Sequence, residues 1–173
     1  MYERAKSEKC RVKHRLLWLL LVALPLSCNG EAKQDDVYLQ KAAILNVAGL
    51  MGKNKAEVAA QLGKPTSDLP PGKINKNENV CSYKWSEADT LGLIVAFVSG
   101  RAASISMTLK RPVHSPDAAL KFFGVDISGK AGGTGTQSAK WWTGTFNGVA
   151  YSRIGSTKSS PDGDEWATIK AEQ

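Results

Sequence analysis

The dipeptide Asn147-Gly148 separates two runs of residues, 140–146 and 149–155, that each suit a β-strand. Asn and Gly tolerate the positive φ that both central positions of the tightest two-residue turn require. The dipeptide therefore predicts a β-hairpin. It commits this part of the chain to an antiparallel sheet, because the two strands that a two-residue turn joins must run in opposite directions.

The register of this hairpin predicts which side chains share a face. The expected pairs are Phe146 with Val149, Gly144 with Tyr151, and Trp142 with Arg153. One face then carries Trp142, Phe146, Tyr151 and Arg153, which are the candidate partner-binding residues. If the opposite face, with Trp141 and Ile154, packs on the core, the aromatic face is exposed as a protein or glycan contact surface. The alternative is that the larger aromatics are core, and in either case one of the two tryptophans points away from it.

Periodicity predicts the remaining elements. Apolar residues three and four apart over 37–51 indicate a helix, and Asn54 with Glu57 has the form of a capping box for a second helix that ends at Gly63. Ser115 with Pro116 begins a short third helix. The strands are expected at 80–85, 91–98, 103–110, 140–146, 149–155 and 165–171, with loops at 64–79 and 125–138. The predicted fold class is α+β, with two N-terminal helices packed on an antiparallel sheet, in the order α-α-β-β-β-α-β-β-β.

The charge of the chain is concentrated at its N-terminus. The 173 residues hold 23 basic and 16 acidic side chains, a formal net charge of +7. Residues 1–27 contain six of the basic and two of the acidic side chains, which leaves 17 and 14 in the remainder. No basic run remains there, so a nucleic-acid partner is not expected.

The first 27 residues have the organisation of an export signal. A basic stretch precedes the eleven-residue apolar run 16–26, and the small residue Ser27 follows it. A membrane-spanning helix needs about 20 apolar residues, so cleavage is favoured over retention as an anchor. The expected organisation is an export signal over 1–27, a polar tether over 28–36 and a single domain over 37–173.

The segment Leu24-Pro25-Leu26-Ser27-Cys28 resembles a bacterial lipoprotein signal. The resemblance implies that Cys28 is lipidated and becomes the new N-terminus, which would anchor the domain in a membrane of the bacterial cell envelope, facing the periplasm. The alternative is secretion of a soluble protein. Cys28 would then be free to form a disulfide with Cys81.

The segment Gly49 to Val58, followed by Leu62-Gly63-Lys64-Pro65, resembles the helix-turn-helix opening of the SmpA/OmlA family of small outer-membrane lipoproteins. The run 93–97, followed by Gly100-Arg101 and Ile105, is similar to the hairpin of that family and of β-lactamase-inhibitor-protein-like domains. The likeness covers residues 45–109. It implies two helices packed on an antiparallel sheet and a binding role at the envelope.

Residue types that carry catalysis are sparse and scattered. Gly124 to Ala131 approaches a phosphate-binding loop, but it follows a helix rather than a strand and ends in Ala instead of Ser or Thr. His114 is the single histidine after the leader and is read as a residue beside a helix cap. Cys81 alternates with Tyr83 and Trp85 and is read as a core thiol. No cofactor and no metal are expected.

These observations favour an exported, lipid-anchored binding or scaffolding protein of the cell envelope that is not an enzyme. Its expected partners are the membrane, through Cys28, and an envelope protein. An inhibitor of an envelope or secreted enzyme is the first alternative. A small envelope hydrolase that uses Cys81 or His114 is the second.

Overall fold

Eight antiparallel strands form one sheet in the computed structural model. The structure describes residues 38–73, 76–86, 88–128, 130, 132–160 and 163–173. The strands are β1 (Ser67–Leu69), β2 (Glu78–Tyr83), β3 (Thr90–Val98), β4 (Arg101–Val113), β5 (Thr134–Thr136), β6 (Ala139–Phe146), β7 (Val149–Lys158) and β8 (Trp166–Glu172). Their order across the sheet is β1-β2-β3-β4-β8-β7-β6-β5, so β4 and β8 form its centre.

Helical structure is limited to short segments. In the described part of the chain they are α1 (Lys55–Leu62), α2 (Pro116–Lys121), a 3-10 helix (Val47–Gly49) and the helical residues 38–41. Among the described residues, α1 alone reaches seven residues in length. The predicted α+β fold class, with two N-terminal helices and the order α-α-β-β-β-α-β-β-β, is therefore wrong. The fold is β-rich.

The expected first helix, 37–51, is the largest single error. Residues 38–41 are helical, but the chain then leaves the helix, and the backbone N–H of Leu45 donates to the carbonyl of Phe122 at 2.8 Å. Leu45, Val47 and Leu50 are all buried. The periodic apolar positions thus identified residues that pack on the core. They did not identify the backbone conformation, because a chain tied to a distant segment can bury the same side chains without a helix.

The sheet is built from two similar halves, each a short helix followed by four consecutive antiparallel strands. α1 precedes β1–β4, α2 precedes β5–β8, and the pairing of β4 with β8 joins the halves. A glycine with positive φ follows each helix: Gly63 caps α1 directly with φ of 83°, and Gly124 lies three residues beyond the end of α2 with φ of 67°. Val58 of α1 and Leu120 of α2 belong to one buried core cluster, so both helices pack on the same face of the sheet.

Two strands lie in segments that were expected to be loops. β1 falls within 64–79 and β5 within 125–138, and every residue of both is exposed. Neither strand has alternating apolar residues, because both lie at edges of the sheet and pair through the backbone rather than by burying one face. Such short edge strands also limit unwanted pairing with other chains.

One face of the sheet packs on the core and the other faces outward. The core face contributes Cys81, Tyr83, Leu93, Val95, Ile105, Met107, Tyr151, Ile154 and Ile169, all at most 3% exposed. β2 ends at Tyr83, so Trp85 lies beyond the strand on which it was expected. On the outward face of β3, Ile94 and Val98 are 43% and 37% exposed. Although residues 91–98 are apolar on both sides of the strand, only the core side is buried.

Candidate functional site

The hairpin of β6 and β7 forms around Asn147-Gly148 as predicted. Both residues have positive φ, 50° and 78°. Phe146 opposes Val149, and Gly144 opposes Tyr151. The turn is also fixed from outside, because the side-chain amide of Asn147 donates to the carbonyl oxygen of Gly124 at 2.7 Å.

Beyond Gly144 the predicted register is wrong. Trp142 pairs with Ile154 rather than with Arg153, because β7 advances three residues while β6 advances two. This β-bulge places Ser152 and Arg153 together opposite Thr143. It moves Arg153 off the face that it was expected to share with Trp142. Strict alternation from the turn cannot anticipate an inserted residue.

The larger aromatic side chains belong to the core. Phe146 and Tyr151 are 7% and 3% exposed, and their ring centroids are 6.2 Å apart. Burial raises the pKa of Tyr151. Trp142 is half-buried and packs against the same core. Of the four candidate partner-binding residues, Trp142, Phe146, Tyr151 and Arg153, the arginine alone is exposed.

Trp141 is the tryptophan that points away from the core, and Arg153 joins it on the outward face. The Arg153 guanidinium lies 4.5 Å from the centre of the Trp141 ring. Its Nε donates to Glu172 Oε2 at 2.9 Å, and Lys170 Nζ lies 2.6 Å from Glu172 Oε1. Partial burial alone would raise the pKa of Glu172, but the hydrogen bonds from Arg153 and Lys170 outweigh it and lower that pKa. The carboxylate therefore stays ionised and holds the arginine over the indole.

The registers extend this arrangement across five strands. Two neighbouring cross-strand rows, here called the outer rows, share the outward face. One row contains Ile94, Ser106, Lys170, Gly155 and Trp141, and the other contains Ala96, Ser104, Glu172 and Arg153. Small residues therefore separate the exposed Ile94 from an aromatic and charged cluster, which consists of Trp141, Arg153, Lys170 and Glu172. Strands lie about 4.8 Å apart, so the longer row spans about 19 Å.

A second polar cluster joins α1 to the edge of the sheet. Lys55 Nζ donates to Asp68 Oδ2, Asn79 Nδ2 donates to Asp68 Oδ1 at 2.9 Å, and the Cys81 thiol donates to the same oxygen at 3.4 Å. The Lys55 and Asn79 hydrogen bonds lower the pKa of Asp68 to about 2. Burial and the Asp68 hydrogen bond raise the pKa of Cys81. Both effects favour the protonated thiol, which donates to Asp68.

Neither arrangement was predicted from the sequence, because each depends on which strands pair. Asp68 lies in a segment expected to be a loop, so nothing paired it with Cys81. Lys170 and Glu172 alternate with Ile169 and Ala171, which does place them on one face. Their contact with Arg153 depends on the pairing of β7 with β8, and no local pattern indicates that pairing.

The other candidate residues stand apart from these arrangements. His114 is half-buried just before the cap of α2 and engages other groups there. The near phosphate-binding loop follows α2 as predicted, although its residues 129 and 131 lie outside the described residues, as do Cys28 and the whole of 1–37. Within the described ranges, no group of three His, Cys, Asp or Glu is placed to hold a metal ion.

No family model, curated protein or solved structure matches this chain. The resemblance to the SmpA/OmlA family stays a prediction. From Tyr38 onward, none of the described helices is both long and apolar enough to cross a membrane.

Proposed function

We propose that this chain is an exported protein of the bacterial cell envelope, anchored by lipid on Cys28, which binds a partner protein through its outer rows and performs no catalysis. The observation that carries the binding part is the Arg153 guanidinium stacked on Trp141 at 4.5 Å and fixed there by Glu172. The leader and the residues around Cys28 support export and lipidation.

The chemistry of the outer rows suits recognition of a protein surface. Tryptophan and arginine are the side chains that most often dominate binding energy at interfaces. Holding Arg153 in place before binding reduces the side-chain entropy that association would otherwise cost. Near Ile94 the outer rows carry only Ser106, Ala96 and Ser104, and these small side chains leave a surface that a partner can approach closely.

The charges of the same surface favour binding over catalysis. A general acid at neutral pH needs a raised pKa, and Glu172 has a lowered one. Its two oxygens are already engaged by Arg153 and Lys170. Truncating one member of such a network leaves the others unpaired, so each should matter for affinity.

Site-specific photocrosslinking in intact cells tests the binding part. A photoreactive residue at Ser106, in the middle of the outer rows, should give a discrete adduct with an envelope protein. Arg153→Glu should abolish that adduct, while the same crosslinker at the exposed Lys64 serves as the positional control. Identical adducts from both positions, or an adduct that survives Arg153→Glu, would contradict binding through the outer rows. Recovery of a hydrolase whose activity falls on adduct formation would favour the inhibitor alternative instead.

The mass of the mature N-terminal peptide tests the anchor separately. A diacylated Cys28 at the new N-terminus is the expected result. An intact 1–27 segment would contradict export, and a cleaved but unmodified Cys28 would favour the secreted form.

A further inference from the structure

An apolar groove lies where the described chain begins. Leu39 and Ile44 form one wall, while Lys121, Val125 and Asp126 form the other, and the volume is about 450 Å³. Ile44 is 54% exposed. We call this feature the entry groove, because the chain enters the domain beside it.

Contacts at both walls hold the entry groove in shape. The backbone N–H of Leu45 donates to the Phe122 carbonyl at 2.8 Å, and the rings of Tyr38 and Phe122 lie 5.3 Å apart. At the other wall, the Asn147 side chain binds the carbonyl oxygen of Gly124. The exposure of Ile44 is therefore a property of the folded domain rather than of a loose end.

The distance to Cys28 limits what can lie against this groove. Residues 29–37 separate Cys28 from Tyr38, and a chain of that length spans at most about 35 Å when fully extended. Lipid on Cys28 would therefore keep the groove close to a bilayer at all times. The end of the domain where the chain enters is the end that such a short tether draws toward the membrane.

The charges around the entry groove suit a lipid headgroup layer. Lys121 lines the groove, Lys41 is exposed on the same segment as Ile44, and the Arg111 guanidinium lies 5.0 Å from the Tyr38 ring. The lining carboxylate, Asp126, accepts a hydrogen bond from the backbone N–H of Ser128 at 2.8 Å. Lys41, Lys121 and Arg111 outnumber this one lining carboxylate, and an excess of positive charge beside an exposed apolar side chain favours an anionic bilayer surface.

We infer that the entry groove docks on the bilayer surface that holds the lipid, with Ile44 entering the boundary between headgroups and acyl chains. This inference rests on the proposed lipidation of Cys28. One isoleucine adds little affinity, so the lipid provides the attachment and the groove sets the orientation. Docking here leaves the outer rows free to meet a partner.

Fluorescence quenching by lipid tests the inference on the full-length protein, purified from cells and reconstituted in vesicles of mixed zwitterionic and anionic lipids. An environment-sensitive dye is attached at Ile44→Cys or, as the control, at Val98→Cys. Val98 is also exposed but is the last residue of β3, whereas the N–H of Ala43, next to Ile44, donates to the Asp89 carboxylate just before β3 begins. The remaining thiol, Cys81, is fully buried. Lipids that carry a quencher in the acyl region should quench the dye at 44 at least about three-fold more than the dye at 98.

Charge variants add a second measurement. Lys121→Gln should weaken quenching at 44 when the vesicles contain anionic lipid, whereas Lys64→Gln, an exposed lysine in the loop after α1, should not. Loss of quenching with both variants would indicate a general charge effect and overturn docking through the groove.

The outcomes separate this inference from the proposed function. A diacylated N-terminal peptide with equal quenching at 44 and 98 would overturn docking and leave the anchor standing. If the emission of the dye at 44 shifts to the blue without being quenched, the protein's own acyl chain occupies the groove. That result would also overturn docking on the bilayer. An unmodified Cys28 would overturn the anchor and the inference together.

Discussion

Gly155 lies directly opposite Trp141 in the pairing of β6 with β7, and the indole occupies the space that a side chain at 155 would need. A Cβ at this position would lie 2.6 Å from the Trp141 ring and 2.0 Å from the carbonyl oxygen of Lys140. The second of these contacts is with backbone, which cannot rotate away. The close packing of the Trp141 ring against β7 therefore depends on a glycine in that neighbouring strand.

Gly155→Ala should lower the free energy of unfolding by about 1–3 kcal/mol, because the two strands must separate to admit the methyl group. Gly92→Ala is the matched control, since a Cβ at that strand position meets nothing within 4 Å. Urea denaturation of both variants measures the difference. Equal stability changes at 155 and 92 would show that the close contact is relieved without cost.

Truncation of two large aromatics of β6 should distinguish the core face of the hairpin from its outward face, because the two substitutions should cost different amounts of stability. Phe146→Ala removes a ring that is 7% exposed in the core and should cost about 3–5 kcal/mol of stability. Trp141→Ala removes a half-exposed ring and should cost about 1 kcal/mol, mainly from its contact with Arg153. Thermal and chemical denaturation give both values. A larger loss at 141 than at 146 would reverse the assignment of faces.

The helix α1 depends on a reciprocal cap at its start. The Asn54 side chain accepts from the backbone N–H of Glu57 at 2.9 Å, and the Glu57 carboxylate accepts from the Asn54 N–H at 2.8 Å. Asn54→Ala should therefore lower the free energy of unfolding by about 1 kcal/mol. The exposed Asn77 supplies the control, for which Asn77→Ala should change stability by less than about 0.5 kcal/mol. If Asn54→Ala changes the free energy of unfolding no more than Asn77→Ala does, water replaces the hydrogen bonds of the cap.

The acid sensitivity of the fold should depend on Asp68. Its pKa in the folded protein, about 2, lies below the ordinary value of 3.8, mainly because Lys55 donates to it. The unfolded chain therefore binds this proton first as the pH falls. Asp68 stabilises the fold above about pH 4 and loses that effect as the pH approaches 2.

Denaturation of the wild type and Asp68→Asn across this range tests the prediction. The wild type should be the more stable at neutral pH, and the gap should close at low pH. Asp164→Asn provides a control, because that side chain is 99% exposed. A gap that stays constant between about pH 6 and pH 2.5 would remove Asp68 from the acid response.

The Cys81 thiol should resist alkylation while the protein is folded. It is fully buried, and burial raises its pKa, so both access and thiolate formation are suppressed. Labelling at neutral pH should run at least about 100-fold slower than in denaturant, because it requires local opening. An introduced Lys64→Cys, on the surface, should react rapidly in both conditions. Rapid labelling of Cys81 in the native protein would instead indicate a reactive thiol and revive the hydrolase alternative.

Local sequence signals predicted the local features correctly. Asn147-Gly148 forms its turn, Ser115 and Asn54 cap their helices, and Gly63 ends α1. Each signal depends on backbone geometry within a few residues, so it needs no knowledge of the rest of the fold. The burial of Cys81 with Tyr83 was predictable in the same way, from alternation along a single strand.

Errors arose wherever a distant segment decided the outcome. The 37–51 segment is held by Phe122, which lies far along the chain, so its apolar spacing misled the assignment of a helix. The inserted residue of β7 moved Arg153 to the outward face, where Glu172 of β8 fixes it. Of the candidate surface, the sequence predicted Arg153 and indicated that one of the two tryptophans points outward. It did not predict which tryptophan does so or which residues complete the surface.

The sequence by itself determined the turns, the helix caps and most of the strands, because these depend on the chemistry of neighbouring residues. Tertiary structure alone decided the order of the strands, the register beyond the bulge, the pairing of Asp68 with Cys81 and the stacking of Arg153 on Trp141. Those contacts join residues far apart in the chain, and each forms only because burial of the core face fixes which strands lie side by side.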